Sequence, residues 1–195
     1  MILEKEIEFV LAIDALKNVS RRNFNLDDSR RENTAEHSWQ VVVFAQILYP
    51  YTRNKEKIDL GRVLKMLSIH DVVEIDAGDT FLFDDKANEG KFDRELVSAK
   101  RIFGILNEPL RTEFLNLWLE FEAGETEDAI FANAVDRMIP FTLNCHNNGT
   151  SWTEATVELE KVKKMLRPKI EQASQDMADT FDVVIKKALD EGKLK

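Results

Sequence analysis

Asp59-Leu60-Gly61-Arg62-Val63-Leu64-Lys65-Met66-Leu67-Ser68-Ile69-His70-Asp71-Val72-Val73-Glu74-Ile75-Asp76-Ala77-Gly78-Asp79 is the stretch on which the reading turns. Leu60, Val63, Leu64 and Leu67 recur at helical spacing, Asp59 is a favourable N-cap and Gly78 a natural stop, so one helix is expected across the segment. His70 and Asp71 fall near its C-terminal end. On a continuous helix His70 and Glu74 stand four apart and Asp71 and Glu74 three apart, which would set all three on one edge. Such an edge can hold a cation and leave a carboxylate over it.

Helical spacing also dominates outward from this stretch. Upstream, Ile2, Ile7, Val10, Leu11 and Ile13 predict a first helix through about Leu16, followed by a loop rich in Asn and Ser. The loop ends at Asn33-Thr34-Ala35-Glu36, with capping-box spacing, before the apolar run Trp39 to Leu48. Val41-Val42-Val43-Phe44 is β-prone in isolation, but its flanks are helical. Downstream, helices are expected from about Gly90 to Leu106, from Pro109 through Trp118 and Phe121, and from Glu125 to about Cys145, with Pro140 kinking or closing the last. Two more are expected over Thr153 to Leu166 and Pro168 to Leu189, Pro168 being favoured at a helix start. No strand pattern and no internal repeat stands out, so the expected fold is all-α, a single domain over 1–195.

Composition narrows the function classes. Of 195 residues 44% are hydrophobic and 32% charged, a globular profile. The formal net charge is −9, with 36 acidic against 27 basic residues, so no broad positive field exists to gather polymeric nucleic acid or an anionic membrane. A small phosphorylated substrate held by a few local arginines remains compatible. Cys145 is the only cysteine, which excludes an internal disulfide, and no apolar run approaches the roughly 20 residues of a membrane span. With no signal-peptide pattern at the N-terminus, a cytoplasmic location is expected.

Only three histidines occur, and two of them, His37 and His70, sit beside carboxylates in helices expected to be partly buried. Taken alone, either has a plain structural role: His37 in a first helical turn, His70 at a helix C-terminus where the dipole favours a cation. Asp136 adds an independent clue. Ala132, Ile139 and Pro140 share its helical face, so its carboxylate would point toward apolar surroundings unless a metal ion, Arg137 or another arginine compensates it. His146 reads as a polar residue at a helix exit and Cys145 as a small buried side chain. Trp39, Trp118 and Trp152 read as helix contacts, with Trp39 also placed to edge a pocket near His37.

The blocks Arg31-Glu32-Asn33-Thr34-Ala35-Glu36-His37-Ser38-Trp39 and His70-Asp71-Val72-Val73-Glu74-Ile75-Asp76-Ala77-Gly78-Asp79, followed by Asp136, resemble the H…HD…D signature of the HD-domain metal-dependent phosphohydrolases. Within that superfamily they resemble the HD-domain 5′-deoxynucleotidases over roughly residues 1–150. The resemblance implies His37, His70, Asp71 and Asp136 as metal ligands, Glu74 as the proton-transfer carboxylate and Asp79 as a substrate contact near the sugar. It also implies a phosphate-contacting arginine upstream of the first histidine, where both Arg21 and Arg22 qualify. The family's tryptophan beside that arginine is absent, with Asn23 or Phe24 in its place, which puts base and sugar selectivity in doubt.

Two imidazoles and two carboxylates suit a single transition ion such as Mn, Co, Fe, Ni or Zn better than Mg. After His37 and His70 only His146 is left, which favours a mononuclear site over multi-metal relatives. The expected function is removal of the 5′-phosphate from deoxyribonucleoside monophosphates. Hydrolysis of a polyphosphorylated nucleotide and non-catalytic nucleotide sensing are the alternatives. The resemblance, with amphipathic C-terminal helices, also implies a homodimer.

Overall fold

The computed structural model describes residues 2–194 and is helical throughout, apart from one small hairpin. Helix α1 (Glu4–Ile13) runs into a 3-10 turn at Asp14–Asn18; strands β1 (Ser20–Phe24) and β2 (Arg31–Asn33) follow, then α2 (Thr34–Leu48) and α3 (Leu60–Ile69). A short α4 (Glu74–Ala77) and α5 (Asp85–Asn88) lead to α6 (Lys91–Phe103), α7 (Leu110–Ala123) and the long α8 (Glu127–His146). Helices α9 (Thr150–Glu154), α10 (Leu159–Ala173) and α11 (Gln175–Asp190) complete the chain. Among the described residues no helix is long and apolar enough to cross a membrane.

Helix α8 is the centre of the packing, touching α2, α3, α7, α10 and α11. Phe131, Ala132, Val135, Met138, Ile139 and Phe141 are buried along it, and Phe141 stacks on Phe181 of α11 at 4.0 Å between centroids. Several helix starts follow the local chemistry read from the sequence. The Asn33 side chain accepts from the Glu36 backbone N–H while Glu36 returns a bond to the Asn33 N–H, and Asp59 accepts from the Arg62 N–H. Gly78 closes α4 at φ 76°, a conformation that favours glycine, with its N–H on the Glu74 carbonyl.

Four local expectations need correction. The helix through His70 is not continuous: α3 stops at Ile69, and a turn precedes α4. The cause is local, because the His70 ring Nδ1 takes the Leu67 carbonyl at 2.7 Å, the acceptor that the Asp71 N–H would use in a longer helix. Asp71, Val72 and Val73 then accept from the N–H groups three residues on, the tighter winding of a 3-10 turn.

The expected loop after the first helix contains a hairpin, antiparallel with Ser20 opposite Asn33 and Phe24 opposite Arg31. The Arg31 guanidinium lies 4.7 Å over the Phe24 ring across this pair.

Pro168 lies inside α10 rather than opening a helix. The carbonyl its missing N–H leaves open belongs to Lys164, and both residues are exposed, so the lost bond faces solvent rather than the core. The last helix starts instead at Ser174, whose hydroxyl accepts from the Met177 N–H.

Trp39 is not a helix contact. It is 68% exposed, and with Val43 and Ile47 it forms an outward stripe on α2 at spacings of four. Helix α1 likewise turns Ile7, Val10 and Leu11 to solvent and buries Phe9. Trp118, Trp152 and Cys145 are buried as expected.

Glu95 of α6 is buried, with the Lys91 ammonium 3.4 Å away as its charged partner. Burial pushes its carboxyl up to about 7, Lys91 opposes that shift and Glu122 adds to it. The folded state thus prefers the neutral acid; the contribution is complete below the ordinary value of 4.5 and is lost as pH rises through about 7. Glu95→Gln, which fixes a neutral side chain, should melt close to the parent at about pH 5 and clearly above it at about pH 8. A melting difference that does not change between those two pH values would refute the assignment.

Candidate metal centre and active site

Three helices bring the scattered polar residues together. His37 sits in the first turn of α2, fixed by the capping box at Asn33. His70 caps α3, and Asp136 lies midway along α8. Ligand atoms of His37, His70 and Asp136 all lie within 4.8 Å of one another. His37 Nε2 is 2.9 Å and His70 Nε2 is 3.5 Å from Asp136 Oδ1. Asp71 joins them from the turn after α3, with Oδ2 at 3.2 Å from His70 Nε2 and 3.8 Å from His37 Nε2.

The donor set fits a bound cation. Leu67 O can only accept, so the His70 ring carries its proton on Nδ1. Nε2, buried and without a hydrogen bond, is then a lone pair directed at two carboxylate oxygens unless the ring takes a second proton. Burial works against that second proton, yet Asp71 and Asp136 outweigh it and hold the His70 pKa well above its ordinary value. Both carboxyls are correspondingly held well below the usual range despite burial, Asp71 by His70 and Arg21, Asp136 by the two imidazoles. A divalent ion among these atoms would supply the same positive charge. Behind His37, Glu32 Oε1 stands 3.8 Å from Nδ1 as an outer carboxylate.

Strand alternation in β1 separates the two candidate arginines. Arg21 points inward to Asp71 Oδ2 at 2.8 Å, Glu32 Oε1 at 3.1 Å and Asp79 Oδ1 at 3.7 Å. Its guanidinium is buried, and these carboxylates outweigh that burial and hold it firmly charged. Arg22 points outward at the rim, while its backbone N–H donates to Asp79 Oδ2 at 3.1 Å. Arg137, one possible partner for Asp136 on sequence grounds, does not pair with it; its Nη1 donates to the Asn133 carbonyl and to Asn133 Oδ1.

Glu74 is buried at the start of α4, where Oε2 accepts a 2.9 Å hydrogen bond from the fully buried Thr34 hydroxyl. Burial, then the charge of Asp71, raises its pKa well above the ordinary value, against the pull of Arg21. Asp79 is raised too, mainly by burial. Glu74 is therefore shifted toward its protonated form, whereas Asp71 and Asp136 are shifted toward ionisation. This contrast arises without one continuous helix edge, because the break at His70 brings Glu74 to the cluster on α4.

These groups open onto a cleft of about 200 Å³, sized for a small molecule. Arg21, Arg22, Asp71, Glu74, Asp79 and Asp136 all line it. Lys91, Glu122 and Asn133, which the sequence did not single out, line it as well, as do Arg137 and the aromatic side chains of Phe81, Phe83, Phe141 and Trp152. The Phe83 and Trp152 rings meet edge to face at 6.4 Å. On α8 the signal was present in the spacing, since Asn133, Asp136, Arg137, Pro140 and Phe141 all fall on one helical face. For Trp152, in a segment without motifs, no sequence signal existed. His146 stays outside the cluster and bonds the Thr142 carbonyl at the end of α8.

A family model described as HD domain matches residues 13–178. A solved structure described as a predicted metal-dependent phosphohydrolase from Magnetospirillum magnetotacticum MS-1 superposes with a TM-score of 0.92 at 41% identity, covering 98% of this chain and 95% of that one. A conserved hypothetical protein from Pyrococcus furiosus shares the fold at a TM-score of 0.66 and 18% identity, over 92% of this chain and 99% of that one. Among curated proteins, 5'-deoxynucleotidase HDDC2 of Mus musculus and of Homo sapiens are each 28% identical over 132 residues, 67% of this chain. Those matches span 64% and 62% of the relatives' own lengths. The matched family region contains every residue of the histidine and carboxylate cluster, and the chain belongs to the HD-domain family.

Proposed function

We propose that the chain is a metal-dependent phosphohydrolase that removes the 5′-phosphate from deoxyribonucleoside monophosphates. The observation that carries this reading is the convergence of two imidazoles and two carboxylates, those of His37, His70, Asp71 and Asp136, with the buried Glu74 carboxyl lining the same cleft. His37, His70, Asp71 and Asp136 would hold one divalent transition ion, which when bound supplies Lewis-acid polarisation of a phosphoryl oxygen. The similarity to a structure described as a metal-dependent phosphohydrolase supports the reaction class, and the curated 5'-deoxynucleotidases support the substrate.

The chain's own groups then divide the remaining work. Thr34 donates to Oε2 of Glu74 and so holds the carboxyl in place, with Oε1 not engaged by that bond. From there Glu74 gives a proton to the ester oxygen as the bond to phosphorus breaks, and it takes one from the attacking water. Asp79, on the cleft wall beside the Arg22 backbone, is placed to accept from a sugar hydroxyl. Phe81 and Phe83, partly exposed where they line the cleft, are the aromatic side chains within reach of a base. A module that only senses nucleotides has no use for a proton-transfer carboxyl at this place.

Protein stripped of metal and reloaded with Mn or Co should release phosphate fastest from 2′-deoxynucleoside monophosphates in a panel that includes ribonucleotides and triphosphates. Faster turnover of triphosphates, or no release from any member, would reject the substrate assignment. Glu74→Ala should retain its metal and lose about 10²–10⁴-fold in turnover, the usual worth of a proton-transfer group. Asp136→Ala should lose metal, and full occupancy in that variant would remove Asp136 from the ligand set. The same reading takes the chain as a homodimer, supported by the exposed α2 stripe of Trp39, Val43 and Ile47, which invites cover. Sedimentation should then give twice the chain mass, and a monomer at micromolar concentration would end that part of the reading.

A further inference from the structure

Four cations line the cleft, Arg21, Arg22, Lys91 and Arg137, and their engagement differs sharply. Arg21 is engaged by carboxylates, through Nε with Glu32 and through Nη1 with Asp71 and Asp79. Lys91 faces Glu95. Arg22 is exposed, and nothing among the described residues anchors its guanidinium. Arg137 is different again: it is half-buried, next in sequence to Asp136, and held by two bonds from Nη1 to Asn133, of 2.9 Å and 2.6 Å. No carboxylate among the described residues pairs with it.

Because both of those bonds use Nη1, the Nε and Nη2 edge of Arg137 carries no hydrogen bond among the described residues. That edge is the one whose two parallel N–H groups match two oxygens of a phosphoryl group. The Asn133 anchor fixes the side chain before any ligand arrives, so little rotamer freedom is left to lose on binding. Asn133, Asp136 and Arg137 share the cleft-facing side of α8, so Arg137 lines the same cleft as the metal-cluster carboxylate next to it in sequence.

We propose that Arg137 is the residue that grips the substrate's phosphoryl oxygens through its Nε and Nη2 edge. Arg21, one of the two arginines the family resemblance offers, is drawn toward Asp71, Glu32 and Asp79, which leaves Arg137 as the anchored cleft cation without a carboxylate partner among the described residues. This inference rests on the phosphohydrolase reading of the same cleft, and it concerns binding of the phosphate rather than the proton transfer.

The test is the affinity of the metal-loaded protein for inorganic phosphate, measured by calorimetry, with metal content determined on the same samples. Arg137→Gln should weaken phosphate binding about tenfold or more, the worth of a charge-assisted hydrogen-bond pair, while metal content stays at the parent level. Arg137→Lys keeps the charge and loses the two-pronged edge, so its affinity should fall between those of the parent and the Gln variant. It carries the test should the Gln variant melt early. Arg53→Gln, an exposed change outside the cleft, should bind as the parent does. Unchanged phosphate affinity in both Arg137 variants overturns the inference, as does a parent protein that binds no phosphate. A parent that binds phosphate through Arg137 yet hydrolyses nothing in the nucleotide panel overturns the hydrolase reading alone.

Discussion

The structure depends on a conflict of charge that its own side chains only partly resolve. Glu32, Asp71, Glu74, Asp79 and Asp136 converge on two imidazoles and a single engaged guanidinium, that of Arg21. Such a concentration of carboxylates is costly in a protein interior unless charges are matched. Three devices limit the cost. Arg21 bridges three of the acids, the imidazoles face Asp71 and Asp136, and burial shifts Glu74 toward its neutral form. A divalent ion among the imidazoles and the two ionised carboxylates would complete the balance, and the same imbalance that disfavours burial would then favour its retention.

What holds the conflict in place is ordinary packing. Helices α2, α3 and α8 meet through Val41, Ala45, Val63, Leu67, Val135 and Ile139, which are buried around the cluster. The polar groups therefore do not have to stabilise the fold and can be arranged for chemistry. The break after α3 shows how little is needed to do this. One ring nitrogen on the Leu67 carbonyl stops the helix and tightens the backbone, so that His70, Asp71 and Glu74 converge from three different local settings. A continuous helix would have placed them along a single edge.

Legibility in the sequence followed the range of the forces involved. Local capping chemistry was plain at Asn33, Glu36 and Asp59, so the starts of α2 and α3 were readable, as was the stop at Gly78. The pairing of distant His37, His70 and Asp136 was readable only through their spaced motif, because no local rule brings α2 to α8. The hairpin at Ser20–Phe24 and Arg31–Asn33 was not readable: both strands are short and polar, and long-range contacts such as Phe24 to Ser151 and Arg31 to Glu154 hold them in place. Pro168 misled because propensity favours it at a helix start, whereas packing of Leu166 and Ile170 against the core kept the helix going. Trp39 misled because an apolar residue at helical spacing reads as inward, and only the fold reveals which face lacks a neighbour.

A chain of net charge −9 gains nothing from long-range attraction when its ligand is an anion. Selection has to come from contacts inside a Debye length of about 8 Å, where a few fixed groups outweigh the overall field. The cleft is lined in that way, by Arg21, Arg22, Lys91 and Arg137 together with the rings of Phe81, Phe83, Phe141 and Trp152. A ligand that carries both a phosphate and an aromatic ring meets complementary groups for each, whereas a free anion engages the cations alone.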